Sequence, residues 1–153
     1  VSSTGLVTPV GTGTANIIAQ STGDVSKEAA TAITVDPAPL AGFTQLTSGT
    51  GVAVAGATGE TMMFYIVVPP GTTQLRAQLA GSTSQDADLY LYAGNATATA
   101  MNNLSSAGRL CNPWLADSNE VCTVANPQPR IYYVLVNAYS SYSGATLTVT
   151  LTP

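Results

Sequence analysis

Hydrophobic and polar positions along this chain change places in short runs, and no stretch sustains the 3.6-residue spacing of a helix. Near the C-terminus Leu147, Val149 and Leu151 alternate with Thr148, Thr150 and Thr152, the period-two pattern of a half-buried strand. Residues 74–80 place Leu75, Ala77 and Leu79 on one face and Arg76 and Gln78 on the other. In 89–93, Leu89 and Leu91 oppose Asp88, Tyr90 and Tyr92. Residues 131–138 are dense enough in apolar side chains for a central strand. Further strands are expected at 52–55, at 62–68 (closed by Pro69-Pro70-Gly71) and at 121–125. Between them stand Gly, Pro, Ser and Asn, the residues of turns. Residues 25–32 read as a turn entering a strand. About seven or eight strands follow for the larger part of the chain, the number an antiparallel sandwich or jelly roll needs.

The pattern breaks at Asp36-Pro37-Ala38-Pro39. Two prolines in four residues remove backbone donors and hold the chain extended. The expected organisation is a first unit at 1–37, a linker at 38–41 and a second unit at 42–153.

Composition narrows the partners. The chain of 153 residues is 45% hydrophobic, enough to build a core, but only 8% charged, against roughly 25% in an ordinary soluble domain. Its polar surface is therefore made of Thr, Ser, Asn and Gln, as is common in exported β-proteins. Four bases, Lys27, Arg76, Arg109 and Arg130, give no positive stripe for a phosphate backbone, so nucleic acid is not an expected partner. No apolar run reaches the ~20 residues of a membrane span, and membrane insertion is not expected either. The chain opens at Val1 with no signal peptide, which reads as processing or excision from something longer.

Cys111 and Cys122 are too few for a structural zinc site, and the chain has no histidine to complete one. They are not spaced as C-x-x-C. A disulfide is the simplest reading and places the chain in an oxidising compartment, secreted, extracellular or on a cell surface. Without histidine, a Ser–His–Asp hydrolase is excluded, and Lys27 has no nucleophile motif around it. Gly11-Thr12-Gly13-Thr14-Ala15-Asn16 lacks the third glycine and the helix of a dinucleotide fingerprint.

Asp86, Asp88 and Glu120, with Asp117 and Asn119 close by in sequence, form the chain's one carboxylate-rich set. Several oxygens together are what calcium requires, and calcium is the cofactor expected if any is bound. The competing reading is that Asp86 and Asp88 bond to backbone in the turn before a strand. Nothing but residue type supports a glycosidase pair. Trp114, Tyr90, Tyr92, Tyr139 and Tyr142 are the candidate binding aromatics, to be weighed against ordinary packing. Asn95-Ala96-Thr97 and Asn103-Leu104-Ser105 match the glycosylation sequon.

A resemblance sharpens this picture. The ordered pieces Leu46-Thr47-Ser48-Gly49, Phe64-Tyr65-Ile66-Val67-Val68-Pro69-Pro70-Gly71-Thr72 and Asp86-Ala87-Asp88-Leu89-Tyr90-Leu91 lie in the second unit. They are followed by Cys111, by Asn119-Glu120-Val121-Cys122, by Tyr132-Tyr133-Val134 and by the run from Tyr139 through Gly144 to Leu147. Taken together, residues 42–153 resemble the bacterial pre-peptidase C-terminal domain, found at the ends of secreted proteases and other exported hydrolases. Two departures stand out: a long Ala- and Asn-rich stretch at 94–108, and Arg130-Ile131 where a glycine is expected before the tyrosine pair. The first unit, through Val1-Ser2-Ser3-Thr4-Gly5-Leu6-Val7-Thr8-Pro9, the glycine-rich run above with Ile17, and Thr31-Ala32-Ile33-Thr34-Val35, resembles the C-terminal half of a bacterial immunoglobulin-like domain of the second group. About three strands of such a half cannot cover their own apolar face. The missing part is expected upstream, in the second unit's sheet, or in a neighbouring subunit.

The expected fold is all-β: an antiparallel β-sandwich, jelly-roll-like, preceded by a partial immunoglobulin-like unit. The resemblance implies a non-catalytic accessory module of a secreted bacterial protein, serving export or attachment to extracellular protein or polysaccharide. The alternative is a structural subunit of a filament or surface layer, its partners copies of itself joined by strand complementation.

Overall fold

The computed structural model describes residues 5, 7–8, 12–35 and 37–153. The chain divides into two compact units, Val1–Ala38 and Pro39–Pro153. Most of the run 1–9 that carries part of the immunoglobulin-like resemblance, and Asp36 of the proline-rich break, lie outside the described residues. In the first unit, β1 (Gly13–Gln20) and β2 (Glu28–Val35) pair antiparallel from Gly13↔Val35 to Gln20↔Glu28. The connection is held by Asp24, whose Oδ1 accepts from both the backbone N–H and the hydroxyl of Ser26. Residues 25–32 are indeed a turn running into a strand.

The second unit is a sandwich of two sheets. The five-stranded sheet has the order β3-β5-β10-β7-β8 and the four-stranded sheet the order β4-β11-β6-β9. Their strands are β3 (Thr44–Gln45), β4 (Gly51–Gly56), β5 (Thr61–Val67), β6 (Gln74–Ala80), β7 (Ala87–Ala93), β8 (Arg109–Cys111), β9 (Glu120–Ala125), β10 (Ile131–Ala138) and β11 (Tyr142–Thr152). All pairings are antiparallel except β3 with β5. Strand β10 is central, flanked by β5 and β7, as its continuous apolar run requires.

The core follows from the alternation. Leu75, Ala77 and Leu79 of β6 and Leu147 and Val149 of β11 meet Leu89 and Leu91 of β7, Phe64 and Ile66 of β5, and Val134 and Val136 of β10. Each of these side chains is essentially inaccessible to water, and burial of one Leu or Phe contributes about 1.5–3 kcal/mol. The outer face of the four-stranded sheet is Thr-rich and solvated.

The five-stranded sheet is covered on its other face too. Tyr90, Tyr92, Tyr133 and Leu135 pack there beneath Met101, Leu104, Leu40 and Phe43. Met101 belongs to α1 (Ala98–Asn102), a single helical turn capped by Thr97, whose hydroxyl accepts the Ala100 N–H. The absence of helix expected from the sequence is corrected here. Five residues are too few to show a period, and this turn exists because Met101 and Ala100 are buried. Strands β3 and β8, also unexpected, are two and three residues long and take their place from neighbours rather than from a pattern of their own.

Candidate functional site

Cys111 ends β8 and Cys122 lies in β9, and the two are joined by a disulfide with Cα atoms 5.8 Å apart. Since β8 is the edge of one sheet and β9 the edge of the other, this bond staples the sandwich shut along one side. The ten residues between them form a loop with no regular structure for most of its length.

Two carboxyl oxygens shape that loop. Glu120, fully buried, accepts the Leu89 N–H through Oε2 at 2.5 Å and the Leu115 N–H through Oε1 at 2.6 Å. Burial pushes its pKa up to about 7, against the pull of those two N–H groups, and the nearby Asp88 and Asp86 push the same way. Further along, Ser118 donates its hydroxyl to the Gln85 carbonyl, Asp117 Oδ1 accepts the Asn119 N–H, and Asn119 Oδ1 accepts the Gly81 N–H. Trp114 sits in the left-handed region at φ +51. Its indole N–H donates to the Tyr90 hydroxyl at 3.1 Å. The Arg109 guanidinium lies 5.2 Å from the centre of the Trp114 ring and 5.7 Å from that of Tyr90, within cation–π range of both.

These ties present an open cavity of about 500 Å³, lined by Asp86, Asp88, Tyr90, Trp114, Leu115, Ala116 and Tyr139. Asp86 is held from both ends of its backbone by Ser140, which donates its N–H to the Asp86 carbonyl and accepts the Asp86 N–H on its hydroxyl. Oδ1 of Asp86 is shut off from solvent and has no hydrogen-bonding partner. Asp88 is 8% exposed. Burial raises its pKa, the charge of Asp86 raises it further, and a hydrogen bond with Tyr90 opposes them. Trp114 is 58% exposed, Leu115 51% and Tyr139 70%. The cavity is acidic at its floor and aromatic at its rim.

The sequence-derived candidates divide accordingly. Asp86 and Asp88 come together, but Glu120 does not join them as a ligand, because both its oxygens are taken by backbone N–H groups. Among the described residues no three acidic or cysteine side chains converge as metal ligands, so the expected calcium set of Asp86, Asp88 and Glu120 is not assembled. Of the five aromatics, Trp114 and Tyr139 are exposed. Tyr92 and Tyr142 are buried and structural: Tyr92 donates its hydroxyl to the Ser105 carbonyl under the 94–108 stretch, and Tyr142 packs between the sheets. Tyr90 is buried by its ring but lines the cavity. On β7 the packing alternative describes the tyrosine face, because a second layer covers it. Leu115 was not singled out by sequence, although its place beside the only tryptophan in a short loop was a signal.

Residues 60–138 match the family model of the bacterial pre-peptidase C-terminal domain. The chain belongs to this family. The match lies within the second unit. This pre-peptidase C-terminal domain is 35% identical over 105 residues to alkaline serine exoprotease A of Vibrio alginolyticus, covering 67% of the chain and 18% of that protein. It is 38% identical over 103 residues to an extracellular protease of Xanthomonas campestris, covering 67% of the chain and 16% of the relative. The chain thus spans less than a fifth of these curated relatives. The solution structure of vEP C-ter 100 superposes with a TM-score of 0.52 at 27% identity, covering 70% of the chain and 98% of that structure. PliG of Aeromonas hydrophila, a periplasmic inhibitor of g-type lysozyme, shares the fold at a TM-score of 0.53 and 12% identity, over 71% of the chain and 95% of its own. No helix among the described residues is long and apolar enough to cross a membrane.

Proposed function

We propose that this domain is a non-catalytic extracellular accessory module that attaches a secreted bacterial hydrolase to protein surfaces. The observation that carries the reading is the exposure of Trp114, Leu115 and Tyr139 around one cavity, the first two on a loop fixed by a disulfide and by Glu120 and Tyr139 on the turn after β10. Large side chains left in water on a rigid support lose little conformational freedom on binding, which is how aromatic anchors gain affinity. The protease relatives, matched over a small part of their length, agree with a module carried beside a catalytic domain. Co-sedimentation with an insoluble protein (elastin or casein aggregates) and with cellulose or chitin tests this. Retention on the protein by the intact chain, lost in W114A/Y139A, is expected. Retention on the polysaccharides alone would redirect the reading to sugar binding, and retention unchanged by the double substitution would sink it.

A second reading has an observation of its own. Strands β1 and β2 pair only with each other among the described residues, and Ile18 and Ile33 are exposed on them, as is Val25 in the turn that joins them. In this reading the immunoglobulin-like first unit is completed by strands of a partner copy, giving a structural subunit. Size-exclusion light scattering with negative-stain microscopy separates the two. A monomer near 15.5 kDa supports the attachment module, and regular filaments support the subunit.

A further inference from the structure

We infer that the cavity between Asp86, Asp88, Trp114 and Tyr139 receives a basic side chain, an arginine or lysine, from the protein to which the module attaches. The inference rests on the attachment reading and adds the chemistry of what is held.

A side chain entering this cavity meets aromatic surface first and carboxylates behind it. Trp114 and Tyr139 form the rim, Asp86 directly precedes β7 and Asp88 is the second residue of that strand. The volume of about 500 Å³ falls within the range of small-ligand sites. A basic side chain has a matching profile: an apolar stem and a charged tip.

The floor is short of positive charge. The groups acting on Asp88 are its burial, the negative charge of Asp86 and the hydrogen bond with Tyr90, with no basic side chain among them. A guanidinium or ammonium set between the two carboxylates relieves their mutual repulsion, which a neutral ligand does not.

The aromatic wall already holds such a group. The Arg109 guanidinium rests on the Trp114 and Tyr90 rings while its Nη1 donates to the Leu104 carbonyl. Arg109 does not line the cavity. The same two aromatics that accept one internal cation therefore also face a cavity with two carboxylates and no cation lining it.

The only tryptophan of the chain lies in this wall, so its fluorescence reports the site directly. A blocked Gly-Arg-Gly peptide is titrated into the intact chain at low ionic strength, beside the same peptide with citrulline, which keeps the shape and removes the charge. Saturable change in Trp114 emission is expected with arginine or its lysine counterpart, and binding at least about tenfold weaker with citrulline. D86N, whose backbone bonds to Ser140 remain available, is expected to weaken arginine binding about fivefold or more with an unchanged thermal midpoint. D88N provides the second variant. Equal binding of citrulline, or no effect of D86N and D88N in folded protein, overturns the inference. A saturable response to calcium chloride alone that blocks the peptide also overturns it, since the carboxylates would then serve a metal. Sedimentation with insoluble protein, run on the same variants, separates the two levels. Retention lost in W114A/Y139A but kept in D86N and D88N leaves attachment standing and removes the cation. Retention insensitive to all four substitutions removes both.

Discussion

Glu120 stands in for a strand beside Leu89. Its Oε2 accepts the Leu89 N–H at 2.5 Å on the flank of β7 where β8, which pairs only with Leu91 and Tyr92, has already ended. The other oxygen holds Leu115, so one buried carboxyl both finishes a sheet edge and fixes the loop that carries Trp114.

This position makes stability depend on pH. The folded pKa of Glu120, about 7, lies above its unfolded value of 4.5. Its contribution is thus fully present below about pH 4.5 and is lost as pH rises through about 7. The thermal midpoint is expected to fall across that window. E120Q removes this part of the slope and costs about 1–3 kcal/mol at pH 5, because its amide turns an N–H towards one of the two backbone donors. Melting curves at half-unit pH steps check it, and a slope surviving unchanged in E120Q would refute it.

Removing the disulfide should loosen the site more than the fold. Cross-linking positions eleven residues apart stabilises by about 3 kcal/mol in the chain-entropy model. C111S/C122S is expected to lose that amount in urea unfolding and to shift Trp114 emission towards that of free indole in water. Intact mass of the parent chain should rise by two alkylations only after reduction.

Gly94 follows β7 with no room beside it. A Cβ there would lie 2.3 Å from the Ile131 carbonyl oxygen, which belongs to backbone and cannot swing away. Gly94→Ala is expected to destabilise by about 1–3 kcal/mol or more, read from urea midpoints. Gly59→Ala, with open space around its Cβ but φ +85, should cost about 1–2 kcal/mol from backbone conformation alone.

Tyr142 offers the opposite sign. Its hydroxyl is buried without a partner, and burial pushes its pKa up to about 12. Y142F keeps the ring between the sheets and deletes the unsatisfied group. Stability unchanged or raised by about 1 kcal/mol is expected, and a loss of similar size would show that the hydroxyl is satisfied in solution.

Much of the sandwich was legible because period-two alternation and side-chain burial express the same fact. The Leu75–Ala77–Leu79 and Leu147–Val149 faces are buried as read, and β10 spans 131–138 at the centre of its sheet. Strand β7 was half legible. Its tyrosines left a binding face and ordinary packing both open, and they are roofed by residues 40–43 and 94–108, a contact that no local pattern encodes. The same holds for Glu120, whose partners lie 31 residues away and 5 residues away. Trp114 and Tyr139 could be nominated by residue type. Their meeting over Asp86 and Asp88 needed the disulfide loop and the β10–β11 turn to be brought together.

The double roofing of the five-stranded sheet distributes mutational freedom unevenly. Every residue from Ala87 to Tyr92 and from Ile131 to Val136 is buried, so drift in β7 or β10 is answered by loss of packing whichever way the side chain points. The opposite sheet keeps a tolerant side, with Thr146, Thr150, Thr123 and Ala53 in water. Sequence variation, labels and engineered charges belong on that face, where they leave both apolar layers and the loop they support untouched.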